Sequence, residues 1–373
     1  MATAKTNREI EGRYAQEDKE IAQERSDFLL PQVIDFVQKK QWMNLQPEYQ
    51  RRQVWDKRRQ SEFIESLLMN LPIPPVFLFE PEYSRYEVMD GQQRLSSIIS
   101  FYGNRLKLVG LEHWKELNGK IYSDLPTKVQ RGLDRRRISA VVLQSMADPS
   151  SANELRQIVF ERLNTGGQKL NAQELRNCVY SGRFSTLLVE LAGLPQFNDL
   201  IGVPRYEDHF VDGQVSPALE SNPLFKRMID CEIVLRFFAL RNPKDIKGSM
   251  KSILDKCMER NRNINEDQAL EMTVEFRSRV ELAHELFGEN AFKAALDPEE
   301  KVSQPFYDAV IIACDRVYTS RQRLLRNKAK LKRSVHATFG NEENYGLLVG
   351  RGNTAKTIQE RLNLVESIFR DVL

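Results

Sequence analysis

Apolar residues change their spacing part-way along this chain, and that change limits the fold more than any other feature. Before about residue 145 three short runs suit strands. Val76 to Phe79 is continuously apolar, RYEVMD (Arg85 to Asp90) is a second run, and Ile138 to Leu143 is a third. A short continuous run bounded by prolines or charges suits a strand buried on both faces. Beyond about residue 184 such runs fade. FKRMIDCEIVLRFFAL, TVEFRSRVELAHELFG and KTIQERLNLVESIFRDVL place apolar residues three or four apart, the period of a helix with one buried face. No repeat of solenoid length is visible. The pattern predicts an α+β fold, with a small mixed sheet in an N-terminal domain followed by a mostly α-helical C-terminal domain. We expect a charged tail or exposed helix over 1–26, the mixed domain over 27–184 and the helical domain over 185–373, which suits a chain of 373 residues.

Local signals mark several element ends. FLLPQVIDFVQKKQW carries Leu30, Val33, Ile34 and Val37 at helical spacing. Asp56 precedes the helical KRRQSEFIESLL and suits an N-cap. Asn171 followed by Glu174 is a capping-box pattern, closed by Gly182. Ser150 or Ser151 should cap a helix over SANELRQIVFERLN, which Thr165 to Gly167 break. Asn353 or Thr354 should open the last helix.

The bulk charge excludes little. Lys and Arg number 55 against 52 Asp and Glu, so any case for a nucleic-acid partner rests on local clustering. Cys178, Cys231, Cys257 and Cys314 form no CxxC pair and suit free thiols of a reducing compartment. His113, His209, His284 and His336 are equally scattered, which argues against a zinc site. The charged N-terminus is not a signal peptide and no apolar run reaches membrane-spanning length, so the expected location is the cytoplasm, with no membrane partner.

Four stretches can carry chemistry. In DGQQR, Gly91 permits a tight strand-to-helix turn and the following helix start suits an anion. Arg94 there can fork onto a phosphate, and Gln92 and Gln93 can donate to its oxygens. On residue types alone, a plain junction with Asp90 as N-cap is the favoured reading, since an N-cap Asp is common. LQPEYQRRQVWDKRR interleaves Arg51, Arg52, Lys57, Arg58 and Arg59 with Tyr49 and Trp55, a pattern that suits phosphate or nucleic acid. VFERLNTGGQKL places Glu161 and Asn164 on one face of a helix end, where they can ligate Mg²⁺, although on residue types alone a helix simply ended by Asn-Thr-Gly-Gly is the favoured reading. RQRLLRNKAKLKR holds Arg321, Arg323, Arg326, Lys328, Lys330, Lys332 and Arg333 with no acid, which suits DNA or a solvated face. GRGNTAKT (Gly350 to Thr357) nearly spells a phosphate loop, but Ala355 stands where glycine is required.

In order and spacing, PEYQRRQVW, NLPIPPVFLF, YEVMDGQQRLSSIISF and FERLNTGGQKLNAQELR resemble the N-terminal domain of the GmrSD family of modification-dependent restriction enzymes. The resemblance covers roughly residues 30–185, and DGQQR is its most specific piece. It implies a fold related to ParB and sulfiredoxin, binding and hydrolysis of a nucleoside triphosphate with Mg²⁺, and action on DNA in phage defence. By position, Asp90, Gly91, Gln92, Gln93 and Arg94 match the phosphate-binding box, and Tyr49, Gln50 and Arg51 match the upstream YQR segment. Glu161 and Asn164 fall on the metal side. In that reading Arg94 neutralises phosphate charge and Asp90 orients the attacking water. Relatives of full length also carry an HNH-type nuclease domain, and no His-rich signature follows residue 185 here. Nuclease activity in this chain is therefore not expected, and a separate nuclease or other defence protein is an expected partner. The rival expectation is a non-enzymatic adaptor that uses the same fold to dock DNA or protein.

Overall fold

Five strands build the sheet of the N-terminal unit: β1 (Ile21–Leu29), β2 (Met43–Asn44), β3 (Val76–Glu82), β4 (Arg85–Asp90) and β5 (Arg137–Ser145). They pair in the order β1-β5-β3-β4-β2. The structure is a computed structural model and describes residues 7–17, 21–45, 55–145, 158–159, 171–211, 214–350 and 352–373. β3 lies in the middle, parallel to β5 and antiparallel to β4. Its Val76 and Leu78 are fully buried, as a continuous apolar run requires. The sheet is mixed, as the sequence predicts.

β1 runs through what the sequence suggests is a tail. It pairs antiparallel with β5 from Ile21↔Ser145 to Leu29↔Arg137, and Asn7–Glu17 ahead of it is a helix, α1. Its Gln23, Glu24, Arg25 and Asp27 are exposed, so the strand is held by its backbone ladder rather than by an apolar face. The Ser139 hydroxyl donates to Asp27 Oδ1 at 2.6 Å across the pair.

Helices α2 (Leu30–Ile34), α3 (Lys57–Leu68), α4 (Gln92–Tyr102) and α5 (Thr127–Asp134) accompany the sheet. Leu30, Val33, Ile64, Leu67, Leu95, Ile98 and Phe101 join Val76, Leu78 and Ile138 in one apolar core. Asp56 caps α3 by accepting from the Arg59 N–H at 2.7 Å. At its other end Arg136 donates from Nε to Leu67 O and from Nη2 to Leu68 O, each at 3.1 Å, so this member of the 135–137 basic triplet closes a helix. α3 also fastens the loop over it. Glu65 accepts from the His113 and Trp114 N–H groups at 2.9 and 2.8 Å, and Ser61 Oγ accepts from Val109 N–H at 3.0 Å.

The chain divides into compact units at Met1–Leu170 and Asn171–Leu373. The second is mostly helical, with one short ribbon of Phe210–Val211 against Gln214–Val215. The helix Ala172–Val179 counts with this unit, because its Arg176 pairs with Asp255 at 2.7 Å and Glu232 at 3.0 Å. Asn171 and Glu174 form the anticipated capping box. Two helices, Ile229–Leu240 and Gln304–Arg316, are buried nearly all round and form the centre. They are joined by Arg236, whose Nε donates to Asp308 Oδ1 at 2.8 Å while Nη2 takes the other oxygen. Arg361 is fully buried beside the same carboxylate, 3.9 Å away, and its Nη2 donates to Gly352 O at 2.9 Å. Thr354 opens the last helix, Ala355–Val372. Cys231, Cys257 and Cys314 are buried and belong to no disulfide. Among the described residues no helix is long and apolar enough to cross a membrane.

Candidate phosphate-binding turn and basic helix face

β4 ends at Asp90, and Gly91 turns the chain directly into α4 with φ +95°. A Cβ at Gly91 would stand 2.4 Å from Val76 Cγ1 and 2.9 Å from Val76 Cβ. Only glycine combines this left-handed backbone with such a close approach to β3. The N-cap position belongs to Gly91, so Asp90 does not cap the helix. Its Oδ2 instead accepts from Arg94 Nη2 at 2.8 Å, one helical turn on.

Arg94 is engaged on a second side as well. Its Nη1 donates to Pro74 O and, at 3.3 Å, to Pro75 O. The side chain is 12 % exposed against 48 % for Asp90. Burial pulls the guanidinium below its ordinary value, and the Asp90 carboxylate works against that pull. Residue-type reasoning could not see the Pro74 and Pro75 carbonyls as partners, although NLPIPPVF places them just before β3.

The two glutamines differ. Gln92 is buried, at 5 % exposure. Gln93 Oε1 accepts from the Trp55 N–H at 3.0 Å, and Gln60 Nε2 donates to Trp55 O at 2.6 Å. The Trp55 ring packs edge-on to Phe63 with centroids 5.8 Å apart, and the Arg59 guanidinium lies 5.0 Å from its centroid. The end of the YQRRQVW segment is thus anchored at the first turn of α4. Tyr49, Gln50 and Arg51 themselves lie outside the described residues, as do Arg52, Glu161, Asn164 and the 165–167 break. Of the other bases in that stretch, Arg58 pairs with Glu62 at 3.0 Å and with Glu112 at 3.6 Å. The turn therefore brings together Asp90, Gly91, Gln92, Gln93 and Arg94, with a helix start free of acidic side chains, a half-exposed carboxylate at its rim and the anchored Trp55. Among the described residues no group of three or more His, Cys, Asp or Glu could hold a metal ion.

The basic run folds into two consecutive helices, Arg321–Arg326 and Lys328–Thr338. Leu324, Leu331 and Val335 are buried, which turns the bases outward. Arg321, Arg323, Arg326, Lys328, Lys330 and Arg333 are exposed and Lys332 is half-buried. None of the seven is ion-paired with a described carboxylate. Their contacts are weaker ones: Lys328 Nζ with Glu285 O at 3.4 Å, Lys330 Nζ with Asp371 O at 3.5 Å, and Arg321 over the Tyr318 ring at 4.9 Å. Elsewhere in the unit Arg241 pairs with Glu275 and Asp315, Arg279 with Asp315, and Arg316 with Glu366.

Residues 33–181 match the family model described as the GmrSD restriction endonuclease, N-terminal domain. The chain carries a GmrSD-type N-terminal domain. The GmrSD match takes in β2 to β5, the Asp90–Arg94 turn and the Trp55 anchor, and it leaves out β1 and the basic helices. No curated protein and no solved structure matches the chain.

Proposed function

We propose that this protein is a nucleotide-dependent, DNA-associated component of a restriction or phage-defence system. The GmrSD-type domain supports the restriction setting. One observation carries the nucleotide reading: the Trp55 N–H to Gln93 hydrogen bond tethers the end of the YQR segment to the helix start that DGQQR forms. A triphosphate would lie between Tyr49–Arg51 and the Asp90–Arg94 turn, with its charge facing the α4 N-terminus. Phosphoryl transfer asks mainly for positioning and charge neutralisation. Mg²⁺ enters this reading as the counter-ion of the nucleotide's phosphates, on the side of Glu161 and Asn164. DNA would bind the unpaired bases of Arg321–Arg333, where each neutralised phosphate adds a salt-dependent increment of affinity. A separate nuclease or other defence protein would complete the system.

A second reading has its own observation. Arg94 is engaged by Asp90, Pro74 and Pro75, which suits a structural role for the turn and an adaptor without turnover. Phosphate release by the purified protein, with each NTP and Mg²⁺ and with or without DNA, separates the two. Release that DNA stimulates and that Gln93→Ala and Arg94→Ala abolish, in variants that still melt cooperatively, supports the NTPase. DNA binding with neither release nor calorimetric nucleotide binding assigns the adaptor.

A further inference from the structure

A cavity of about 480 Å³ opens beside the basic helices. Lys332, Arg333 and His336 line it together with the apolar Phe287, Leu296 and Pro298. We propose that this cavity binds a nucleoside monophosphate, with the phosphate on Lys332 and Arg333 and the base against the apolar wall. The proposal shares Lys332 and Arg333 with the DNA-binding face proposed above, is independent of the turn at Asp90–Arg94, and does not require that the protein hydrolyse anything.

Size is the first argument. The volume falls in the range of small-ligand sites and far exceeds what a lone inorganic anion fills. The lining chemistry is the second, since apolar side chains and cations without a described carboxylate partner in one lining suit a ligand that is flat and apolar at one end and anionic at the other. Lys332 and Arg333 have no described carboxylate partner, so both charges remain for a ligand. His336 Nδ1 is bonded to Ala295 O at 2.9 Å, which fixes the ring and leaves Nε2 as its other polar atom. Asp297 is also in the lining, and its Oδ1 accepts from the Glu299 N–H at 2.9 Å. That carboxylate disfavours a run of several phosphates and so favours a monophosphate.

The wall is also held under strain. Ala295 and Leu296 are consecutive non-glycine residues with φ of 53° and 58°. Residues of this kind persist where their surroundings over-determine them, and they gather at ligand clamps. Here Leu296 N–H donates to Lys293 O and Asp297 N–H to Ala294 O, each at 3.0 Å, and His336 grips Ala295 from the helix.

The nucleotide could be free or could be one unit of a single strand. The test is calorimetric titration of the whole protein with a panel of deoxynucleoside 5′-monophosphates, with inorganic phosphate, and with a short single-stranded oligonucleotide as competitor. The same titrations are made on a Lys332→Ala, Arg333→Ala double variant and on a Lys328→Ala, Lys330→Ala double variant. The second removes the same charge from neighbouring surface. We expect the first pair to weaken mononucleotide binding by about tenfold or more, the size of one charge-assisted hydrogen bond. The control pair should change it by less than about twofold, as screening at this range predicts. Competition by the oligonucleotide assigns a strand as the source, and its absence assigns a free nucleotide. Lack of mononucleotide binding at millimolar concentration overturns the proposal. So does inorganic phosphate that binds as well as the nucleotides, or an equal loss in both double variants.

Discussion

The Asp90–Arg94 turn and the Arg321–Arg333 helices both read, by residue type, as places for phosphate. The structure separates them. At the turn the cation is engaged by a carboxylate and two carbonyls of its own unit, whereas the seven bases of the helices, six of them exposed, have no ion pair with a described carboxylate. The difference teaches that the availability of a guanidinium depends on which acceptors the fold brings within reach. Composition and spacing do not record that. The prolines ahead of β3 lie twenty residues from Arg94 in sequence and within hydrogen-bond distance in space.

If engaged cations belong to the fold, the most deeply engaged should be the costliest to release. Asp308→Asn leaves Arg236 and Arg361 without their shared carboxylate, and we expect a loss of about 3–5 kcal/mol in urea unfolding. A loss below about 1 kcal/mol would break the link between engagement and stability. Gly91→Ala forces a Cβ against Val76 in a left-handed backbone and should cost about 2–4 kcal/mol by the same measurement. Arg94→Ala strands two carbonyls and a carboxylate, and about 2 kcal/mol is expected. Arg94→Lys should not restore it, since a single ammonium nitrogen lacks the planar fork by which Nη1 meets the two carbonyls and Nη2 the carboxylate.

Acids sharpen the same contrast. Burial pushes the Glu65 carboxyl up, but the Trp114 and His113 N–H groups outweigh it and leave the group below its ordinary 4.5. A depressed folded value stabilises the protein above about pH 4.5, and that contribution is lost as pH falls through the folded value. Melting temperatures taken down to about pH 3 should therefore fall more steeply for the wild type than for Glu65→Gln. The smallest stability effect belongs to the outward bases. A triple Arg323→Ala, Arg326→Ala, Lys330→Ala variant should unfold within about 0.5 kcal/mol of the wild type. Its DNA affinity should lose salt dependence, by about 0.9 in log–log slope for each phosphate contact removed.

Much of the scaffold was legible in the sequence. The central strands announced themselves by apolar runs, Asp56 and the Asn171–Glu174 pair by capping chemistry, and the DGQQR turn by its glycine. The failures depend on partners that residue types do not name, some of them far along the chain. β1 lacks an apolar alternation, since the consecutive Gln23, Glu24 and Arg25 are exposed on both of its faces, and its ladder partner comes more than a hundred residues later. Asp90 looks like a cap until Arg94 is seen to hold it. The turn at Ala295–Leu296 contains no glycine in either left-handed position, so no local signal marks it.

The pairing of β1 with β5 has a consequence for where this domain begins. A fragment cut at the borders of the family match, 33–181, would start after Leu29. β5 would then present an open row of N–H and C=O groups from Arg137 to Ser145, next to the apolar Ile138, Ala140 and Val142. Such a row recruits any strand it meets, including its own copies. The inherited module and the soluble module therefore differ in length, and the shortest fragment that resists aggregation has to reach back to Ile21.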